Sequence, residues 1–456
     1  MFSCIYSSFG EYRNLYSELK LLLKSRISPV SALQVFQILR FSTMMLIGVV
    51  FAKSGLSIGQ IGQYETFLLI AGAVSFFWLN GLIQGFLPLI NKEAIEKKSP
   101  DLFNVFYLVT GFSVLSGVFL VVFEHSISGF LLKKPSVPYL SYLLIYLVIS
   151  TPASLVEYIY LVKNQGKQII QYGLISFFLL FSLVIVPPVL GFGIEYSLAG
   201  LIASVVFRFG WLLVLLFKNA RPAFDWTFIR IHLRSSSPLI VSMLLSGSAQ
   251  YIDSFIVTSY FDDATFAIFR YGAREFPLVL LMANAFSISM LPAFSDSTKL
   301  KVNLESIKLN AQKLGNWMFP MSGLLMLISH KAFPIVFNVG FAQSATIFNI
   351  YLLLIISRLL FPQTILIGLQ KNKLIMWASF LEIIVNVTSS LCFVNIWGLV
   401  GVAYGTVVAY IFEKIFLMVF VSSSCHIRVS TYLNVSRHLI YSLLLTAEFI
   451  IIEYLI

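Results

Sequence analysis

Charge is what this sequence has least of. Only 11% of its 456 residues are Asp, Glu, Lys or Arg, against about 25% in a soluble domain, so a surface that faces water on all sides is excluded. Cysteine is nearly absent: Cys4, Cys392 and Cys425 are too few and too scattered for a disulfide framework or a metal site. The histidines (His125, His232, His330, His426, His438) show no ligand spacing either. No Gly-x-x-x-x-Gly-Lys-Ser/Thr phosphate loop occurs, which removes a primary pump. The chain does not open on a basic region followed by a short apolar run, so no cleavable leader is expected. Neither a metal nor a cofactor is expected.

Apolar residues make up 58% of the chain, and the mean hydropathy is +0.89. They fall in blocks of about 18 or more separated by short polar breaks, the pattern of membrane-spanning helices. The blocks predict spans at 30–52, 65–90, 102–123, 139–162, 169–190, 197–217, 237–260, 265–294, 316–337, 345–369, 374–395 and 399–421. A thirteenth apolar run, 438–456, contains Glu448 and Glu453 and reads either as a span or as an interfacial helix. Residues 1–28 read as an interfacial segment, with an amphipathic helix over 11–26.

The net charge of +11 does not point to nucleic acid, because Lys and Arg sit in short loops rather than on a stripe interleaved with aromatic rings. With the N-terminus inside, 21 of the 31 basic residues fall on cytoplasmic segments and four (Lys53, Lys133, Lys134, Lys331) on outer loops. Positive charge in short loops sets orientation, so the N-terminus is expected in the cytoplasm.

The chain also resembles itself. Ser28-Pro29 and Ser237-Pro238 open the first and seventh predicted spans, and Gly62-Gln63-Tyr64-Glu65 pairs with Gly272-Ala273-Arg274-Glu275. Ile159–Ile169 pairs with Ile365–Ile375, and Leu198-Ala199-Gly200 with Leu399-Val400-Gly401. The offsets lie between 201 and 210 residues, in order. They predict two six-helix lobes: an N-lobe at 29–217, a basic cytoplasmic linker at 218–236, a C-lobe at 237–421 and a C-terminal segment at 422–456. Six is even, so both lobes enter the membrane in the same sense, related by an axis along its normal, with a site between them.

Charge inside spans is the functional signal. Arg40, Arg208 and Arg358 fall near span midpoints, where each costs roughly 2.5–3.5 kcal/mol on insertion scales. They are therefore expected to face water or a counter-charge. Arg270 and Arg274 lie four apart on the eighth span, and Lys414 reads as a local pair with Glu413. Gln34, Gln37 and Arg40 share one helical face, and Ser242, Ser246, Gln250 and Asp253 form one stripe on the seventh span. Both faces are expected to line a shared cavity. For Arg208 and Arg358 a packing pair with a carboxylate is the alternative reading. Asp253 is either a proton or cation site or the partner of Arg40 or Arg274; Glu275 and Glu382 are further acidic candidates, with Glu157 and Glu413 nearer the cytoplasmic side. Prolines within spans (Pro187, Pro188, Pro277, Pro292, Pro320) mark kinks rather than gates.

The two parallel six-helix lobes, the Gly62–Tyr64 turn and the run FAIFRYGAREFPLVLLMANAFSISMLPAFS from Phe266 to Ser295 resemble the MOP exporter superfamily. Within it the chain resembles the polysaccharide-biosynthesis branch, the flippases of Wzx type that act on O-antigen repeat units of lipopolysaccharide. The resemblance covers residues 30–421 and implies a MATE-like all-α fold. It also implies movement of an undecaprenyl-pyrophosphate-linked oligosaccharide across the bacterial inner membrane, without enzymatic chemistry, in company with a polysaccharide polymerase and chain-length partners. That family's cavity is cationic, and the matching residues here are the in-span arginines. Arginine suits such a cargo, since it offers planar bidentate donors to phosphate oxygens and stays protonated. On this reading Arg40, Arg270 and Arg274, with Arg208, Arg358, Gln37 and Gln250, bind substrate, while Asp253, Glu382 and Glu275 serve ion coupling or charge balance.

The rival reading of the same fold is a cation-coupled multidrug or metabolite antiporter, which wants an anionic cavity. A major-facilitator transporter would carry a Gly- and Arg-rich motif where Asn91–Asp101 stands. A membrane polymerase or ligase would need a larger outer loop than the roughly 12 to 15 residues available here.

Overall fold

A computed structural model of the chain describes residues 28–90, 95, 97–274, 287, 290, 300–369 and 371–455. The predicted amphipathic helix at 11–26, Glu275, Pro277 and Pro292, and most of the eighth span lie outside the described residues. Those described are helical and contain no strand.

The N-lobe runs α1 (Pro29–Lys53), α2 (Ile58–Phe86), α3 (Asp101–Val122), α4 (Leu140–Val162), α5 (Gly166–Val189) and α6 (Ile194–Asn219). The seventh span is two helices, α7 (Trp226–Gly247) and α8 (Ala249–Tyr260). Then come α9 (Asp263–Gly272), α10 (Leu300–Val336), α11 (Val339–Arg358), α12 (Pro362–Gly368), α13 (Asn372–Trp397), α14 (Leu399–Ser424) and α15 (Val435–Leu455). Eleven helices among the described residues are long and apolar enough to cross a membrane, or twelve if the pair bent by 51° between Leu245 and Gln250 is one span. Of two hydrophobic cores, one is built around Phe36, Trp78 and Tyr172 of the N-lobe and takes in Tyr271, Phe337 and Phe341 of the C-lobe; the other is built around Phe266, Ile350 and Val402 of the C-lobe.

Local chemistry explains where the boundaries depart from expectation. The second span begins at Ile58, not 65, because Ser57 and Gln60 form a reciprocal capping box. Ser28 caps α1, and Pro29 occupies its first turn, where a missing N–H costs nothing. Ser237-Pro238, by contrast, lies inside α7, which starts at the Asp225 cap, so residues 226–236 are helix and the irregular connection shortens to 220–225. Pro152 breaks α4 after Ala153, and Phe361, left-handed at φ 55°, precedes Pro362 and separates α11 from α12. At the turn from α8 to α9, Thr265 holds the Asp262 carboxyl below the usual carboxylate range.

The last apolar run is a helix long enough to span. Within it Glu453 turns to His330 on α10 at 2.8 Å and accepts from Asn349 on α11 at 2.6 Å.

The lobes meet along α2, which packs on α7 and α9. The approach is close enough to require glycine. A Cβ on Gly62 would sit 1.8 Å from the carbonyl oxygen of Asp263, and one on Gly85 would sit 2.0 Å from the Ser236 hydroxyl.

Candidate functional site

A cavity of about 970 Å³ lies between the lobes. The N-lobe wall is α1 (Gln37 to Met45), Tyr146 of α4, Phe177 and Leu180 of α5, and Leu201 to Arg208 of α6. The C-lobe wall is Tyr271 and Arg274 beside α9, Leu325 to Val336 of α10, then Phe337 and Phe348. The two walls differ chemically. The first carries Gln37, Arg40, Ser204 and Arg208; the second is apolar apart from Ser329, Tyr271 and Arg274. Among the described residues the lining holds three arginines and no carboxylate.

Each arginine is held differently. Arg40 is exposed and lies within electrostatic reach of Tyr146 and Glu157 in the N-lobe and Tyr251 in the C-lobe. Arg208 is braced from behind: its Nε donates to the Tyr172 hydroxyl at 2.9 Å, and Nη2 stands 3.9 Å from buried Glu157. Glu157 stands in the last two turns of α4, beyond the break after Ala153. Arg274 lies over the Tyr271 ring at 4.9 Å and pairs with Glu65 at 3.4 Å; Arg270 pairs with the other Glu65 oxygen at 3.5 Å. Glu65, only 5% exposed on α2, therefore bridges the lobes.

The end of the cavity away from the 220–225 connection is closed by contacts between lobes. Tyr271, stacked on Phe341 at 4.7 Å within the C-lobe, donates across to the Gly48 carbonyl at 3.3 Å. Asn338 donates to the Ala52 carbonyl, Thr66 to Asp263, and Lys134 forms an ion pair with Asp263.

The structure separates other residues that the sequence grouped. Asp253 partners neither Arg40 nor Arg274. It is buried in the C-lobe, where its Oδ2 accepts from Tyr351 at 2.9 Å and Thr406 at 2.5 Å, while Oδ1 has no hydrogen-bond partner. The side chain of Asn386, also buried and unpartnered, faces the same carboxylate. The stripe from Ser242 to Asp253 does not line one cavity. The bend at Ser248, whose hydroxyl turns back to the Leu244 carbonyl, leaves Gln250 exposed and Asp253 inside the lobe. Arg358 lies in the C-lobe interior over Tyr410 at 4.5 Å, where its charge, with those of Glu413 and Lys414, acts on Glu382. Glu413 and Lys414 pair at 2.6 Å.

Glu65 was not among the acidic candidates. The repeat that matched Gly62–Glu65 to Gly272–Glu275 contained the signal, but a span placed from 65 left this carboxylate at the rim.

A family model described as polysaccharide biosynthesis protein matches residues 56–346. No curated protein matches in sequence. Among solved structures the fold is similar to the lipid II flippase MurJ in an inward closed conformation, at 17% identity and TM-score 0.64, covering 92% of this chain and 96% of that one. It is also similar to an inward-facing multidrug resistance MATE transporter of the MOP superfamily, at 15% identity and TM-score 0.58, covering 89% and 94%. A third is a MOP superfamily transporter from Pyrococcus furiosus with a binding pocket of reversed polarity, at 12% identity and TM-score 0.53, covering 92% and 97%.

Proposed function

The chain belongs to the polysaccharide biosynthesis protein family, and from that premise we propose that it is a flippase for an undecaprenyl-pyrophosphate-linked oligosaccharide. The observation that carries this reading is the cavity between the lobes, with three arginines and no carboxylate among its described lining residues. A pyrophosphate on a lipid brings two or more negative charges to a site that must leave water. Arg40, Arg208 and Arg274 supply fixed, bidentate donors to its oxygens, with Gln37 beside them. The apolar wall of α10 suits the first isoprene units of the tail. Rocking of the lobes exposes the cavity to each side in turn, so transport needs no chemical step.

Excess positive charge on the loops at the 220–225 end supports placing that end in the cytoplasm, and export from there across a bacterial inner membrane. A surface-glycan polymerase and its chain-length partners would take the product. The C-lobe pocket around Asp253, with one free carboxylate oxygen beside an unpartnered Asn386, suits a coupling proton or cation, with Glu382 nearby as charge balance. Arg358 sits in that lobe, away from the cavity, and serves packing there.

The test is deletion in the native host, with surface polysaccharide, membrane-bound lipid-linked glycan and drug susceptibility read together. Loss of the surface glycan with accumulation of its lipid-linked repeat unit is expected, restored by the wild-type chain. Unchanged glycan with increased drug sensitivity would replace this reading with the antiporter.

A further inference from the structure

We propose that Glu65 is a built-in competitor for the substrate's phosphate: it holds Arg270 and Arg274 across the lobe seam while the carrier is empty and yields Arg274, the one of the two that lines the cavity, when the head group arrives. This rests on the cavity being the seat of a phosphate-bearing lipid.

Three observations carry the inference. Glu65 is the carboxylate that Arg270 and Arg274 both reach, one on each oxygen, at 3.5 and 3.4 Å. Those distances exceed the 2.7–2.9 Å of a well-formed charge-assisted bond, so the pairing is loose. The acid is buried at 5% exposed, while the arginine side chains keep 38% and 23% of their surface open. An incoming anion therefore meets the cations without first displacing the carboxylate.

The position of the pair decides what exchange does. Glu65 is on α2 and the arginines on and just beyond α9, so this bridge is part of the contact that closes the far end of the cavity. Close by, Thr66 and Lys134 both hold Asp263, and Tyr271 between the two arginines donates to the Gly48 carbonyl. When phosphate oxygens take Arg274, which lines the cavity, Glu65 keeps only its loose 3.5 Å contact with Arg270, and a buried carboxylate short of its counter-charge is a state that folded proteins disfavour. Parting of α2 from α9 readmits water to it. Loading the cavity and loosening the far seam thus become one event, and an empty carrier stays shut.

The test uses full-length protein in lipid nanodiscs, farnesyl diphosphate as the probe, and spin labels at Lys53 and Val339 after replacement of the native cysteines. In the wild type, the probe is expected to bind and to lengthen the Lys53–Val339 distance. Glu65→Gln is expected to bind about tenfold more tightly, because a competitor for charged donors has been removed, and to show the longer distance before any probe is added. A merely structural acid would weaken binding when replaced. Glu65→Asp, which keeps the charge but shortens its reach, carries the same expectation if Glu65→Gln does not accumulate. Equal or weaker binding by both variants, with the wild type still binding, overturns this inference and leaves the proposed function standing. Absence of binding by the wild type and by both variants overturns the proposed function with it.

Discussion

At the residue scale the arginines do unequal work, and geometry separates them. Arg40 is exposed on the cavity wall, whereas Arg358 is packed over Tyr410 inside the C-lobe. A lysine at either position keeps the charge and loses the planar fork. Arg40→Lys is therefore expected to slow export of the lipid-linked glycan by about tenfold or more at unchanged protein level, the cost of one bidentate contact. Arg358→Lys is expected to leave head-group binding near wild type. Binding of a soluble polyprenyl diphosphate to the two purified variants checks both, and equal loss in both would remove the distinction. The in-span arginines were legible in the sequence because charge in an apolar run is expensive wherever the helix turns. Their partners were not. Arg208 meets Glu157 across α6 and α4, and Asp253 lies beyond the bend where α7 passes into α8. A periodicity argument follows one helix and assumes that it continues, so it shows neither a contact between helices nor a bend.

At the scale of elements, the seam along α2 depends on what glycine omits. A methyl on Gly62 would have to displace a backbone carbonyl on the facing lobe, since its Cβ would fall 1.8 Å from Asp263 oxygen. Backbone cannot swing aside as a side chain does, so Gly62→Ala is expected to destabilise by about 1–3 kcal/mol, the range for overpacking. Gly111 on α3 is the control. It is exposed, with nothing within 4 Å of an added Cβ, and Ala there is expected to be neutral or to stabilise by up to about 1 kcal/mol through helix propensity. Thermal unfolding of the two variants in detergent, read by tryptophan fluorescence, is the measurement; a Gly62→Ala protein as stable as wild type would mean the lobes separate freely at that contact. Hydropathy blocks gave the order of the long helices among the described residues, because the cost of burying backbone in lipid permits little else. They placed ends poorly where polar turns continue a helix. The capping box at Ser57 lies outside the apolar run of α2, and the Asp225 cap starts α7 well before its apolar part. One consequence was functional: a span read from 65 hides the acid that bridges the lobes.

For the whole molecule, two lobes joined along one seam with a cavity between them imply that transport is a change in how the lobes meet. The far end of the cavity is held by contacts that cross between them: Asn338 on the Ala52 carbonyl, Tyr271 on the Gly48 carbonyl, and Asp263 with Lys134 and Thr66. These can part without unfolding either lobe, while the stack of Tyr271 on Phe341 lies within the C-lobe and moves with it. Their loss together with the glycine contacts would let α1 and α2 swing from α9 and α11 as a unit. Cysteines placed at Lys53 and Val339, both exposed and next to the Ala52–Asn338 contact, test this. A bismaleimide with a cleavable disulfide in its spacer should tie the lobes at that end, after Cys4, Cys392 and Cys425 have been replaced. In reconstituted vesicles the linked protein is expected to bind a polyprenyl diphosphate from the 220–225 side through Arg40 and Arg208, more weakly than the unlinked protein because Glu65 keeps its arginines, and not to deliver it across; reduction of the spacer should restore delivery. Binding and delivery are separable here because the arginine-lined wall belongs mostly to the N-lobe, which the link does not distort. Delivery at the wild-type rate by the linked protein would mean that the far contacts never open, and the cargo would have to leave sideways between α1 and α10.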